Sequence, residues 1–472
     1  MKYIFFTFSG LGLPIAYKLH QQGYDVQVGM VENIKDYVLE EEVMKATEHP
    51  DDTRLRLSLF KGMLPIEPAQ KVVDRMHTIK NPQDYFVYIE ENCLYRWADK
   101  VRDLNFHGIF PTKDDFLFEV DRKRAKDFVK AHYPKLNTPE IFEFTSIQEG
   151  IKFLKESNEL WVLKGQIDTA RTFVPVVENP RLANTQLIEV LTNFPHKYER
   201  LGFILERFIP DIIEMTPEKF YYDGVPIGTS IMFENKSFGS GNISVQTGCA
   251  EDLVFPTDMN DRINRIAFPP IIDEMAKEHK GWFIWDASVL IGKRDGKMYF
   301  GEFCSNRPGY NCFFTELSQS GNINTFFENI VKKKNPYTLG TVGCSVSIYN
   351  VSRDEETDSI SANILVNYTP EVEKDVWLLD VMKNERGSIV TAGFNWDLAV
   401  ITGAGKSIHQ AVSRLYKNVD NFAVVGGYYR PKDDFVSLDY NSSIINRLNY
   451  GLDRGLYHLP FDVKIGVLDA SL

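Results

Sequence analysis

A chain of 472 residues, 43% hydrophobic and 25% charged, carries enough apolar material for more than one core, so two to four domains are expected. Its formal net charge of −12 excludes a general nucleic-acid surface, which needs a basic excess, while leaving room for a local basic pocket. Five widely spaced cysteines (93, 249, 304, 312 and 344) include no C-x-x-C pair, so neither a zinc knuckle nor a disulfide framework is indicated, and a reducing, cytoplasmic setting fits.

Residues 2–8 are continuously apolar and read as a buried strand of the parallel type, too short for a signal peptide or a membrane span. Gly10 and Gly12 make a turn before a helix at 14–22, with Pro14 suited to its first turn, and residues 24–30 give the next strand. Backbone N–H groups at such a helix start can hold an anion, or the glycines serve the turn alone, since the full G-x-G-x-x-G is absent. Residues 33–80 are charged and helical in tone. A strand at 85–89, a helix at 94–104 and a short strand at 107–110 complete an expected N-terminal α/β domain, 1–110.

A second domain is expected at 111–335, with a smaller subdomain near 135–205. A charged helix over 114–131 opens it. A strand at 140–144 follows, then a helix at 147–156 started by the Ser146…Glu149 capping box, and a strand at 161–164 ending in Lys164. Residues 185–195 read as helix, 203–208 as strand, 220–230 as strand–turn–strand around Asp223-Gly224, and the Gly/Ser-rich 236–249 as a loop. An amphipathic helix at 261–280 precedes a hairpin, and a further helix is expected at 322–333. Beyond Lys334, short β runs (342–349, 361–366, 376–381, 388–392, 398–402) and a helix at 408–417 suggest a β-rich domain, 336–440, followed by an extension, 441–472.

The hairpin at 282–304 holds one acid in each strand, Asp286 and Glu302, among apolar neighbours. A buried carboxylate is costly unless it faces a cation, a donor or water. A two-residue Asp295-Gly296 turn would send the two acids to opposite faces. A three-residue loop, 294–296, pairs Asp286 with Cys304 and sets it diagonal to Glu302, with Cα atoms roughly 7–8 Å apart. The three-residue loop is the expected one, and that span suits one or two Mg²⁺ ions. Two solvated acids on an exposed face are the plain alternative. Asn306 and Arg307, just beyond, add an amide and an anion-binding guanidinium.

Further runs carry a resemblance. Glu90-Glu91 with Leu94 and Ala98-Asp99 precede Phe110-Pro111-Thr112-Lys113. Glu119–Phe128 (EVDRKRAKDF) is similar to an E-G-S-K-x-x-A-K-D-F helix. Leu163-Lys164, Leu205–Ile209 with Glu214, Glu234-Asn235-Lys236, Gln246-Thr247-Gly248 and Glu302-Phe303…Arg307 follow in order, then Leu398–Gly403 with Ser407, Ala411, Tyr416, Tyr429-Arg430 and Asp433. Together they resemble the ATP-grasp superfamily, and within it the phosphoribosylamine–glycine ligase branch.

The resemblance implies an α/β (α+β multi-domain) ATP-grasp architecture, with a Rossmann-like pre-ATP-grasp domain first and a β-rich domain last. It implies an ATP-dependent ligase that joins a carboxylate, such as glycine, to an amine through an acyl phosphate, using ATP and Mg²⁺ (or Mn²⁺). Arg122, Lys123 and Lys164 would meet the phosphates. Glu206 and Phe208 would flank the adenine, and Glu214 would take the ribose. Asp286, Glu302 and Asn306 would hold metal, Arg307 and Lys236 would act in catalysis, and Gly10, Gly12, Gln246, Thr247 and Gly248 would bind substrate. Small-molecule substrates, no nucleic acid, no membrane, and a monomer or homodimer are the expected partners and state.

Three departures stand out. Ser9-Gly10-Leu11-Gly12-Leu13 replaces the family's G-G-R-E-H turn, which helps hold a ribose phosphate. Gly165–Phe173 replaces the glycine-rich phosphate lid, leaving Thr169, Arg171 and Thr172 as side-chain contacts. Cys304 stands where the metal asparagine is expected, with Asn306 as a substitute. Glycinamide ribonucleotide synthetase in purine biosynthesis and a non-catalytic nucleotide-binding relative are the alternatives.

Overall fold

The computed structural model describes residues 1–32, 56–165, 172–175, 177–199, 202–338, 340–353, 360–436 and 443–459. Lid residues Thr169 and Arg171, and much of 33–80 and 441–472, lie outside them.

Strands β1 (Lys2–Thr7), β2 (Val26–Met30), β3 (Ile66–Pro68), β4 (Tyr85–Ile89) and β5 (His107–Gly108) form a parallel sheet in the order β3-β2-β1-β4-β5. Tyr3, Ile4, Phe5 and Phe6 of the central strand have no exposed surface, which is why its sequence is a continuous apolar run. The first helix spans Leu13–Gln21. This is the Rossmann-like opening the sequence implies.

Strands β6 (Ile141–Phe144), β7 (Trp161–Gly165) and β8 (Phe203–Arg207) make a small antiparallel sheet, β6-β8-β7, with the helices Ile147–Glu156 and Pro180–Asn193. Leu154, Trp161, Leu163, Leu187 and Phe203 give it a core of its own, so it stands as a subdomain.

The body of the molecule is one nine-stranded sheet. Strands β9 (Ile212–Tyr222), β10 (Val225–Gly239), β11 (Ile243–Pro256), β12 (Trp282–Gly292) and β13 (Met298–Ser305) are joined by β14 (Val342–Asn350). The short pairs β15 (Val366–Tyr368) with β20 (Phe422–Val424), and β17 (Val381–Lys383) with β18 (Ile389–Thr391), stand apart. With β16 (Val376–Leu378), β19 (Asp397–Gly405) and β21 (Gly427–Tyr428), the order runs β13-β12-β9-β10-β11-β14-β19-β16, and β21 also pairs β14. Within 336–440, β14, β16, β19 and β21 therefore continue the same sheet: β14 pairs antiparallel with β11 and covers what would be an open edge.

Several expectations are corrected. The stretch 236–249 is not a loop: β10 runs to Gly239 and β11 starts at Ile243. The helix expected over 114–131 breaks into Lys113–Val120 and Arg122–His132, with the Asp121 side chain accepting from Arg124 N–H at 2.9 Å to cap the second. The helix over 261–280 breaks into Arg262–Ala267 and Pro270–Glu278, because Pro269-Pro270 cannot continue the ladder. Helix Asn311–Ser320 was not anticipated.

The 282–304 hairpin reaches its expected pairing by another route. Gly292 N–H bonds Lys297 C=O at 3.0 Å and Gly296 N–H bonds Gly292 C=O at 2.9 Å, so the loop is Lys293–Gly296, one residue longer than expected. Gly296 sits at φ +68°, a conformation that side chains resist. A bulge between Ala287 and Val289 then restores the register, and Asp286 pairs with Cys304.

Candidate active site

Alternation along β9, β10 and β12 turns Glu214 and Glu218, Glu234 and Lys236, and Asp286 and Ser288 toward one side of the sheet. Lys236 Nζ is the hub of this face. It lies 3.1 Å from Glu214, 3.2 Å from Glu302 and 4.0 Å from Glu234. These three acids hold its ammonium well above the usual lysine range despite burial. Lys236 in turn holds Glu302 down to about 2. Burial works against Glu214, but Lys236 still keeps it ionised below the usual range, helped by Ser288 Oγ, which donates to it at 2.8 Å.

Asp286 is different. It accepts one hydrogen bond, from Cys304 N–H at 3.1 Å, and is buried. Burial first, then the fields of Glu218, Glu234 and Glu302, push its carboxyl well above the ordinary range. A buried acid facing other acids is a carboxylate short of a cation. Asp286 and Glu302, both hard oxygen donors, fit Mg²⁺ or Mn²⁺ on that ground.

A crevice between the lid and the edge of β13 is lined by Arg122, Lys126, Lys164, Glu206, Gly301 and Glu302. Glu206 receives both Lys164 and Lys126 at 2.7 Å. Burial opposes its charge, yet the two ammoniums hold its carboxyl down to about 2. Lys126 is the residue that sequence reasoning missed. Its signal was present, one helical turn after Arg122 and on the same face.

Lys123 is not brought to the crevice: it is exposed and pairs with Glu143 at 3.5 Å. Phe208 donates its backbone N–H to Leu160 C=O at 2.9 Å, so that amide belongs to the lid sheet. A larger open cleft lies elsewhere, beside Lys18, Trp377 and Arg414, and none of these groups lines it.

Asn306 is no metal ligand. Its Nδ2 donates to Asp115 at 2.9 Å and its Oδ1 accepts from Ile284 N–H at 2.9 Å, deep in the protein, at φ +49°. Asp115 also takes Ser305 Oγ at 2.8 Å and faces His279 Nε2 at 3.1 Å. Arg307 is held by Glu119, which lines the crevice, and lies 3.6 Å from Glu91.

The turn at Gly10 and Gly12 holds an anion, but an internal one. The Glu90 carboxylate accepts from Phe8 N–H at 2.5 Å and from Ser9 N–H and Gly12 N–H at 2.7 Å, and bonds the Thr7 hydroxyl. Gly10 and Gly12 are thus closed to an incoming phosphate. The other expected substrate residues do gather. Between Asn235↔Glu251 and Ser237↔Gln246, residues 247–250 bulge out opposite Lys236. Thr247 Oγ1 donates to Lys236 C=O at 2.8 Å, Gln246 Nε2 donates to Ser237 Oγ at 3.0 Å, and Gly248 is exposed.

No protein-family model matches the sequence, and no curated protein does. Solved structures do. Phosphoribosylamine–glycine ligase from Thermotoga maritima superposes with a TM-score of 0.60 at 12% identity, over 91% of this chain and 99% of that one. A biotin carboxylase–β-γ-ATP complex from Campylobacter jejuni gives 0.56 at 14%, over 98% of each chain. L-amino acid ligase from Bacillus licheniformis gives 0.51 at 15%, over 91% and 99%. Among the described residues, no helix is long and apolar enough to cross a membrane. From its Rossmann-like sheet through the small lid to the nine-stranded body, the chain has the multi-domain ATP-grasp fold.

Proposed function

We propose that the chain is an ATP-dependent carboxylate–amine ligase that forms an amide through an acyl phosphate. The observation that carries this is the meeting of the lid crevice (Lys126, Lys164, Glu206) with the acid face (Asp286, Glu302, Lys236) at the edge of β13. One side supplies cations on rigid elements for phosphates. The other supplies carboxylates for a divalent ion.

In this reading Arg122, Lys126 and Lys164 bind the nucleotide's phosphates, and Glu206 keeps the two lysines aimed when no nucleotide is present. Asp286 and Glu302 would hold Mg²⁺ (or Mn²⁺), which neutralises charge on the terminal phosphates. A substrate carboxylate oxygen attacks the γ-phosphorus as its bond to ADP breaks. The amine nitrogen then attacks the acyl carbon, phosphate leaves, and the nitrogen loses a proton. Lys236, beside the 247–250 bulge, faces the anionic acyl phosphate, and Arg307, paired with Glu119 of the crevice, is the second cation for it. Catalysis is mostly positioning and charge stabilisation, so no nucleophilic side chain is required.

The acceptor is an amine other than phosphoribosylamine. Glu90 fills the turn that would take a ribose phosphate, and its carboxylate repels a second anion. ADP release with Mg·ATP, screened across amino acids and amines including phosphoribosylamine, tests the reading. ADP release should need both a carboxylate and a phosphate-free amine, and Glu302→Ala should lower kcat by about 10²-fold or more. Preference for phosphoribosylamine would overturn the acceptor assignment. No turnover with any pair would favour a non-catalytic nucleotide binder.

A further inference from the structure

Cys249 lies within the 247–250 bulge of β11, and Cys312 lies in the first turn of the helix Asn311–Ser320. Their Sγ atoms are 3.9 Å apart. Glu234 Oε1 lies 3.3 Å from Cys312 Sγ, and Asp252 Oδ2 lies 3.9 Å from Cys249 Sγ. Both sulfurs and an oxygen of Glu234 fall within 4.8 Å of one another.

The Cys249–Cys312 and Cys312–Glu234 separations match two edges of a coordination tetrahedron. With Zn–S near 2.3 Å and Zn–O near 2.0 Å, the S–S and S–O edges are about 3.8 Å and about 3.5 Å. Asp252 lies outside that trio, its buried carboxylate held by Thr315 Oγ1 at 2.8 Å and by Ser345 Oγ. Cys312 and Asp252 have no exposed surface, whereas the Glu234 side chain is 17% exposed and offers a way in. Ionised, the four groups would crowd four negative charges around one space with the Lys236 ammonium 4.0 Å from Glu234. A divalent cation relieves that crowding, and the two thiols select a thiophilic one over Mg²⁺.

We propose that Cys249, Cys312 and Glu234 form a three-ligand site for a thiophilic divalent cation, with Zn²⁺ the best fit and Asp252 beside it. Binding ionises the two S–H groups and releases their protons to solvent, with no change of oxidation state. The ion ties β10, β11 and the Asn311–Ser320 helix together at the base of the bulge that carries Gln246–Gly248. Its role is to brace that bulge, and it is a different place from the oxygen-only site at Asp286 and Glu302.

The test loads the reduced, full-length chain with Zn²⁺ or Co²⁺, removes free ion, and reads bound metal and the Co²⁺ spectrum. Retained Zn²⁺ and a thiolate-to-Co²⁺ charge-transfer band are expected. Cys249→Ser and Cys312→Ser should each weaken Zn²⁺ binding at least about tenfold and diminish the band. Glu302→Gln should leave the band unchanged. Glu234→Gln, which spares the sulfurs, should keep the band and bind Zn²⁺ more weakly. A wild-type protein without the band overturns the proposal even where a cysteine variant does not fold. So does equal metal retention by the Cys249→Ser/Cys312→Ser double variant, or a disulfide between the two in the purified chain.

Discussion

Glu206 stands between two ammoniums in a place water hardly reaches, and that arrangement makes removing it expensive. Glu206→Ala leaves Lys126 and Lys164 buried without their counter-charge, so chemical denaturation should show a loss of about 3–5 kcal/mol. The sign with pH follows from the lowered carboxyl. Glu206's contribution to stability is complete above the ordinary carboxylate range and is lost as pH falls toward about 2. Glu206→Gln should therefore flatten the acid limb of the stability profile. At this scale the sequence was legible in residue type and blind to pairing. Lys164 and Glu206 were identified, but nothing local shows that Lys126 shares their acid. Nothing local shows, either, that Asn306 is occupied by Asp115, far earlier in the chain. The cysteine spacing gave no hint of Cys249 beside Cys312, because the middle of a strand and a helix start meet only in the fold.

The hairpin that carries both acids depends on its turn and its bulge together. Gly296→Val places a β-branched residue at φ +68° and should cost about 1–2 kcal/mol or more, read as a lower denaturant midpoint. The end of β13 is fixed in a second way, by His279 and Asp115 around Ser305 and Asn306. Asp115 and a backbone carbonyl raise the His279 pKa against burial. That stabilisation is fully present below about pH 6.5 and is lost as pH rises through the raised value. His279→Asn should remove this decline on the alkaline side, which thermal unfolding across pH would show. Elements with strong periodicity or caps, such as Tyr85–Ile89 and Ile147–Glu156, were legible to the residue. The long β10–β11 pair was not, because Gly and Ser near its turn read as loop while the neighbouring strands supply its stability.

Across the whole molecule, order and spacing of many weak motifs exposed the ATP-grasp fold that no single motif could. What they could not expose was the continuity of the sheet past residue 336, since a linker-like Lys-Asn-Pro run looks the same whether the next strand starts a new sheet or joins an old one. Nor could they show that Glu90 fills the N-terminal turn, the feature on which the proposed phosphate-free acceptor rests. The central claim is that Lys126, Lys164 and the two hairpin acids close on one nucleotide. A crystal structure with a non-hydrolysable ATP analogue and Mn²⁺, read by anomalous scattering, tests it most directly. The account predicts Mn²⁺ coordinated by Asp286 and Glu302, with Lys126 and Lys164 on the phosphates. Nucleotide in another cleft, such as the one beside Lys18 and Trp377, or Mn²⁺ away from both acids, would contradict it.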